Sequence, residues 1–141
     1  MKILEILTKK RKIGNIGEDI AARELKKDGY KIIKRNYVAV GVEIDIIAEN
    51  KDTIAFVEVK TRSIGYENPR EPRPASAVTR EKQRKIIAAA KYYIGGINNT
   101  KHVSLDIVEV YLNNDGTKNK VLHIKNAFNI NTAYERKAYT K

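Results

Sequence analysis

The stretch GVEIDIIAENKDTIAFVEVKTR, Gly41 to Arg62, decides how this chain is read. Two runs rich in Ile, Val and Phe flank the polar Glu49-Asn50-Lys51-Asp52, a pattern that predicts a β-hairpin with strands over 42–48 and 53–60. Yet Glu43, Asp45, Glu58 and Lys60 interrupt the apolar runs. Strand side chains alternate between faces. On that alternation Glu43, Asp45 and Ile47 share one face, with Val42, Ile44 and Ile46 on the other. In the next strand Phe56, Glu58 and Lys60 share a face, and Ala55, Val57 and Val59 are opposite. If Lys51-Asp52 form a two-residue loop, Asp45 is opposite Glu58 and Glu43 opposite Lys60, whereas a loop longer or shorter by two residues keeps the faces and shifts the partners.

A solvated hairpin face with cross-strand ion pairs, each contributing about 0.2–1 kcal/mol, accounts for any one of these charges. It accounts less well for the set, because the acids sit among Ile, Val and Phe. Carboxylates crowded at one end of a buried hairpin repel one another unless a cation joins them. A hard divalent ion with oxygen ligands does so, and Mg2+ is the usual choice beside phosphates. Such an ion activates water and stabilises charge on a phosphoryl group. Lys60, on the same face, is placed to complete that stabilisation or to position the nucleophile.

The rest of the chain narrows the chemistry. With 141 residues and 42% hydrophobic content it is long enough for one domain, 1–141, with a real core. There is no cysteine, which removes disulfides and thiolate metal sites and fits a reducing compartment. The two histidines, His102 and His123, argue against a histidine-rich zinc site, so a metal here is oxygen-ligated. The start, MKILEILTKKRK, a basic segment over 1–12, lacks the charge order and cleavage site of a secretory signal. No window approaches the roughly 18 apolar residues of a membrane span, and the expectation is a cytoplasmic protein with no membrane partner.

The formal net charge is +11, with basic groups at 9–12 and 80–85. A surface this basic attracts polyanions by counterion release, nucleic acid above all. A basic cytosolic protein with no such ligand, or one that binds ribosomes or acidic membranes without specificity, stands as the alternative.

Upstream, NIGEDIAARELKKD predicts a helix over 15–28, with Asn15 as N-cap and Gly29 as its stop. On its wheel Gly14, Glu18, Ala21, Ala22 and Leu25 share a side, so Glu18 lies toward the packing face. Two readings stand for Glu18: a site residue, or an acid that favours the helix N-terminus through the macrodipole. YKIIKRNYVAV, 30–40, reads as a strand.

Downstream, 63–78 holds all three prolines and reads as an irregular loop. Thr79 to Ile94 reads as a helix capped by Thr79 and stopped by Gly95-Gly96. Gln83 falls on the side of Ile86, Ile87 and Ala90, where it either holds water or phosphate or is a first-turn polar residue. Arg80, Lys82, Arg84 and Lys85 are either a phosphate contact or a solvated face. Strands at VSLDIVEVYL and VLHIKNAF follow, and 129–141 reads as a polar, frayed tail. The order α-β-β-β-α-β-β, with a meander before a helical crossover, predicts an α/β fold with a mixed central sheet flanked by helices.

The segments GNIGEDIAARELKKDGYKIIKRN and VEIDIIAENKDTIAFVEVKTR resemble the YraN-like family. Its pattern is a G-x-x-G-E-x-x-A helix, then G-E-I-D, then F-V-E-V-K-x-R. The likeness is strongest from Gly14 to Arg62 and continues through TREKQRKI, SLDIVEV and NAF. Val42 stands where the family has Gly, and SLDIV replaces its Arg-Phe-Asp pattern around Asp106. This family is similar in turn to the Holliday-junction-resolvase and restriction-endonuclease superfamily, with its PD-(D/E)-x-K core.

The resemblance implies a restriction-endonuclease-like three-layer fold and a metal-dependent endonuclease acting on DNA, including branched or repair and recombination intermediates. It implies Glu18, Asp45, Glu58 and Lys60 as catalytic residues, with Mg2+ or Mn2+ held by Glu18, Asp45, Glu58 and the Val59 carbonyl. Glu43 and Gln83 are supporting residues, and Arg62, Arg80, Lys82, Arg84 and Lys85 bind nucleic acid. Among junction-resolving relatives homodimers are common. The alternatives are a binding module that keeps the scaffold without chemistry, and a basic adaptor for a protein or ribosomal partner.

Overall fold

The computed structural model describes residues 3–63 and 78–129, and over 4–11 the backbone alone. The side chains of the basic group at 9–11, most of the proline-bearing stretch 63–78 and the tail past 129 lie outside what the structure describes. The elements are α1 (Ile3–Lys27), β1 (Lys31–Ala39), β2 (Val42–Glu49), β3 (Thr53–Ser63), α2 (Arg80–Gly95), β4 (His102–Leu112) and β5 (Lys118–Phe128). The strands form one five-stranded sheet in chain order. β1-β2, β2-β3 and β4-β5 are antiparallel, and β3-β4 is parallel, joined by the crossover through α2. This is the α/β/α arrangement of the restriction-endonuclease-like fold.

α1 starts earlier than its sequence suggests. Asn15 lies inside the helix and caps nothing, because the helix already runs from Ile3. Ile13 and Ile16 pack against the core, and that tertiary contact outweighs the low helix propensity of Gly14, Asn15 and Gly17. Its end is as the sequence indicates. Gly29 sits at φ +89°, Tyr30 N–H donates to the Leu25 carbonyl at 3.0 Å, and Gly29 N–H donates to Lys26 at 3.1 Å. Leu25 and Tyr30 are both buried, which completes this left-handed stop.

α2 opens on Thr79, whose side chain accepts from Lys82 N–H at 3.1 Å. One core joins Ile20, Ala21, Ala22 and Leu25 of α1 to Ile46, Ala48, Ala55, Val57, Val108 and Val110. The other joins Ile86, Ile87, Ala89 and Ala90 of α2 to Ile44, Ile47, Ile54, Phe56, Leu105 and Ile107. Covered on both faces, β4 is buried from Ser104 to Leu112.

The β2–β3 turn has Lys51-Asp52 as its loop. Asn50 N–H donates to Thr53 O at 2.9 Å, and Asn50 Oδ1 accepts from Asp52 and Thr53 N–H at 3.0 and 2.8 Å. Strict alternation fails higher up. Ile44 and Ile47 pack with α2, whereas Ile46 and Ala48 pack with α1. So Ile44 and Ile46 do not share a face. The break lies at Asp45, between the pairs Tyr37↔Ile44 and Arg35↔Ile46. Opposite it Asn36 adopts φ +53°, a left-handed residue that upsets the two-residue period of the ladder.

Two buried acids in β4 went unremarked as such in the sequence pattern. Asp106 receives Ser104 Oγ, His123 Nε2 at 2.7 Å and Asn126 N–H at 3.0 Å, and so pins β5 where its register shifts. Glu109 accepts from Tyr111 Oη at 2.7 Å. Nothing in an apolar run such as VSLDIVEV reveals which partner, 17 residues on in the case of His123, satisfies the acid.

Candidate metal centre

The acids gather where β2 and β3 part. The paired residues run from Glu49↔Ile54 to Ile46↔Val57. Beyond that pair a side chain bridges the strands: Asp45 Oδ2 accepts from Val59 N–H at 2.7 Å. α1 comes close on one side through Gly17, where an added Cβ would lie 1.9 Å from Thr61 Oγ1. That approach carries the next residue, Glu18, over the end of the hairpin. Carboxylate oxygens of Glu18, Glu43 and Asp45 lie within 4.8 Å of one another. Glu18 Oε2 also accepts from Asn36 Nδ2 at 3.2 Å and lies 3.5 Å from Arg35, which itself pairs with Asp19 at 2.8 Å.

From the α2 side comes a different set. Glu58 is 6% exposed, and its Oε1 lies 2.9 Å from Lys82 Nζ and 3.3 Å from Lys60 Nζ. The parallel ladder sets Lys60 beside the buried Glu109.

The electrostatics follow from this crowding. Burial, then Glu58 and Glu18, push the Asp45 carboxyl up to about 7, against the Val59 N–H and Lys82, which favour the anion. Burial and Glu43 raise Glu18 also, against the pull of Arg35. Burial works against the Lys82 ammonium, but Glu58 and Asp45 more than offset it and leave its pKa raised. Three carboxylates close enough to share an ion, one holding its proton to near neutrality, fit a hard divalent cation and its oxygen preference.

Residues 17–110 match the Uncharacterised protein family UPF0102. The chain belongs to UPF0102. A UPF0102 protein of Caldanaerobacter subterraneus is 46% identical over 84% of this chain and 96% of its own length. Another, from Desulfosudis oleivorans, is 42% identical over 91% of this chain and 98% of its own. One from Clostridium botulinum is 44% identical over 84% and 94%. These names carry the family and no activity. Among the described residues, no helix is long and apolar enough to cross a membrane.

The UPF0102 fold redistributes the residues singled out in the sequence. Glu18 and Asp45 meet, and Glu43, read as a supporting residue, is the third member of their group. Glu58 lies outside that trio and pairs with lysines. Lys60 pairs with Glu58, not with Glu43 as the hairpin register suggests. Val59 meets Asp45 through its N–H. Gln83 turns back to donate to the Val78 carbonyl at 3.0 Å. Lys82 leaves the basic strip and enters the site, while Arg80, Arg84 and Lys85 stay exposed and Lys85 pairs with Glu81 at 3.7 Å. Arg62 is half-buried near the end of β3.

Arg35 and Asn36 had no assigned role in the sequence. An Asn at the centre of the β1 strand, where it weakens the ladder, was the one available signal. The Lys82–Glu58 pair had none, since it joins two elements across a crossover.

Proposed function

We propose that this chain is a divalent-metal-dependent endonuclease acting on DNA, with branched and repair or recombination intermediates among its candidate substrates. The observation that carries this reading is the convergence of Glu18, Glu43 and Asp45 within 4.8 Å, beside the lysine-bearing Glu58. Glu18, Glu43 and Asp45 would hold Mg2+ or Mn2+, with Glu58 adjoining. When bound, the ion supplies a water nucleophile at neutral pH and Lewis-acid stabilisation of the phosphoryl oxygens.

The chain's own groups do the rest. Val59 N–H fixes the Asp45 carboxylate and so its direction at the end of the hairpin. Arg35 and Asn36 hold Glu18 in place. Lys60, 23% exposed and set against Glu58, is positioned to donate to a phosphate oxygen or to orient the attacking water. Arg62, Arg80, Arg84 and Lys85 supply phosphate contacts that orient the strand without reading its sequence. The net charge of +11 favours such binding at low salt.

A second reading is a nucleic-acid-binding module without chemistry. It draws on Glu58, whose charge two lysines already neutralise. One experiment separates the two: labelled branched, single-stranded and duplex DNA with Mg2+ or Mn2+, wild type beside Asp45→Ala and Lys60→Ala. The nuclease reading expects metal-dependent cleavage that both substitutions abolish. Salt-sensitive binding with no cleavage in any of the three selects the binding module.

A further inference from the structure

Two ammonium groups converge on one buried carboxylate oxygen. Lys60 reaches Glu58 Oε1 from the same strand and is 23% exposed. Lys82 reaches it from the first turn of α2, at the shorter distance of 2.9 Å, and is 41% exposed. The Thr79 hydroxyl bonded to Lys82 N–H fixes where that lysine's backbone sits. Next to this pair, Asp45 is bonded to Val59, the residue directly after Glu58. Among the described residues neither Glu43 nor Asp45 forms an ion pair, so both ammonium contacts fall on Glu58.

We propose that Lys82 competes with divalent metal for Glu58 and thereby limits the site to a single ion, held by Glu18, Glu43 and Asp45. This rests on the metal-dependent reading above and adds to it a residue that sets metal stoichiometry. Glu58 is the acid beside the trio that a second ion would draw on. An ammonium already hydrogen-bonded to Glu58 must be expelled first, and charge-assisted bonds of this kind are the strong ones. Lys82 is the replaceable member of the lysine pair because its side chain is the more exposed and can swing into solvent. Metal binding at the trio leaves it in place.

The test is calorimetric titration of the full chain with Mn2+ at pH 8 and fixed ionic strength. Wild type is compared with Lys82→Gln, which removes the charge, and Lys82→Arg, which keeps it. Circular dichroism checks the fold of each. Wild type and Lys82→Arg are expected to bind one Mn2+. Lys82→Gln is expected to bind a second ion at least about tenfold more tightly than wild type does. One ion in all three proteins, or two in wild type, overturns the role of Lys82 and leaves the metal reading intact. No Mn2+ binding by any of them overturns both.

Discussion

At Asp45 the folded chain holds a carboxyl whose pKa is raised from 3.8 to about 7, chiefly by burial and then by Glu58. The sign of the stability effect follows from proton linkage. Because the folded value lies above the unfolded one, this group's contribution is complete below about pH 4 and is lost as pH rises through about 7. Without metal, Asp45 therefore weakens the fold as pH rises from about 4 to about 7. Asp45→Asn keeps the shape and removes the charge. In urea melts with chelator present, the variant should be more stable than wild type at pH 8, and the difference should shrink at pH 5. A larger advantage at pH 5 would reverse the sign and contradict the charge assignment. Residues such as Asp45 and Glu58 were legible in the sequence because acids are rare among Ile, Val and Phe. Their partners were not, because Val59 N–H reaches Asp45 and Lys82 reaches Glu58 through three-dimensional proximity alone, as Arg35 reaches Glu18.

Among the elements, the contact of α1 with β3 depends on a missing side chain. A Cβ on Gly17 would sit 1.9 Å from Thr61 Oγ1 and 2.9 Å from Thr61 Cβ, too close for Thr61 to remain where it is. Gly17→Ala should cost about 1–3 kcal/mol, as overpacking does elsewhere. It should also shift Glu18 and weaken Mn2+ binding, with Thr61→Gly in the same chain restoring part of both. Melting temperature and metal titration of the single and double variants read this directly. The β1–β2 turn shows the opposite case. Val40 and Gly41 both have positive φ, +53° and +73°, a conformation that suits Asn-Gly and strains a β-branched residue. Val40 is exposed, so Val40→Asn should stabilise the fold by about 1 kcal/mol in thermal or urea unfolding. The Lys51-Asp52 loop was legible because local side-chain bonds at Asn50 define it. Alternation along β2 misled because Asn36, on the neighbouring strand, kinks the ladder. The start of α1 misled because Ile13 and Ile16 gain their burial only against the sheet.

For the whole molecule, the order of elements carried the architecture: a meander, a helical crossover and a final hairpin leave few mixed sheets to choose from. What that order does not show is that the hairpin's open end lies between two layers. α1 brings Glu18 from one side and α2 brings Lys82 from the other, so the site belongs to the assembled α/β/α sandwich and to no single segment. The proposed function requires a divalent ion to bind there. Paramagnetic broadening of amide signals by substoichiometric Mn2+ locates such an ion without requiring any reaction. Signals around Glu18, Glu43, Asp45 and Val59 should broaden first, while the Asn50–Thr53 turn at the other end of the hairpin and the neighbouring His102 stay sharp. Broadening that spares Asp45, or that affects the Asn50–Thr53 turn equally, would contradict the claim.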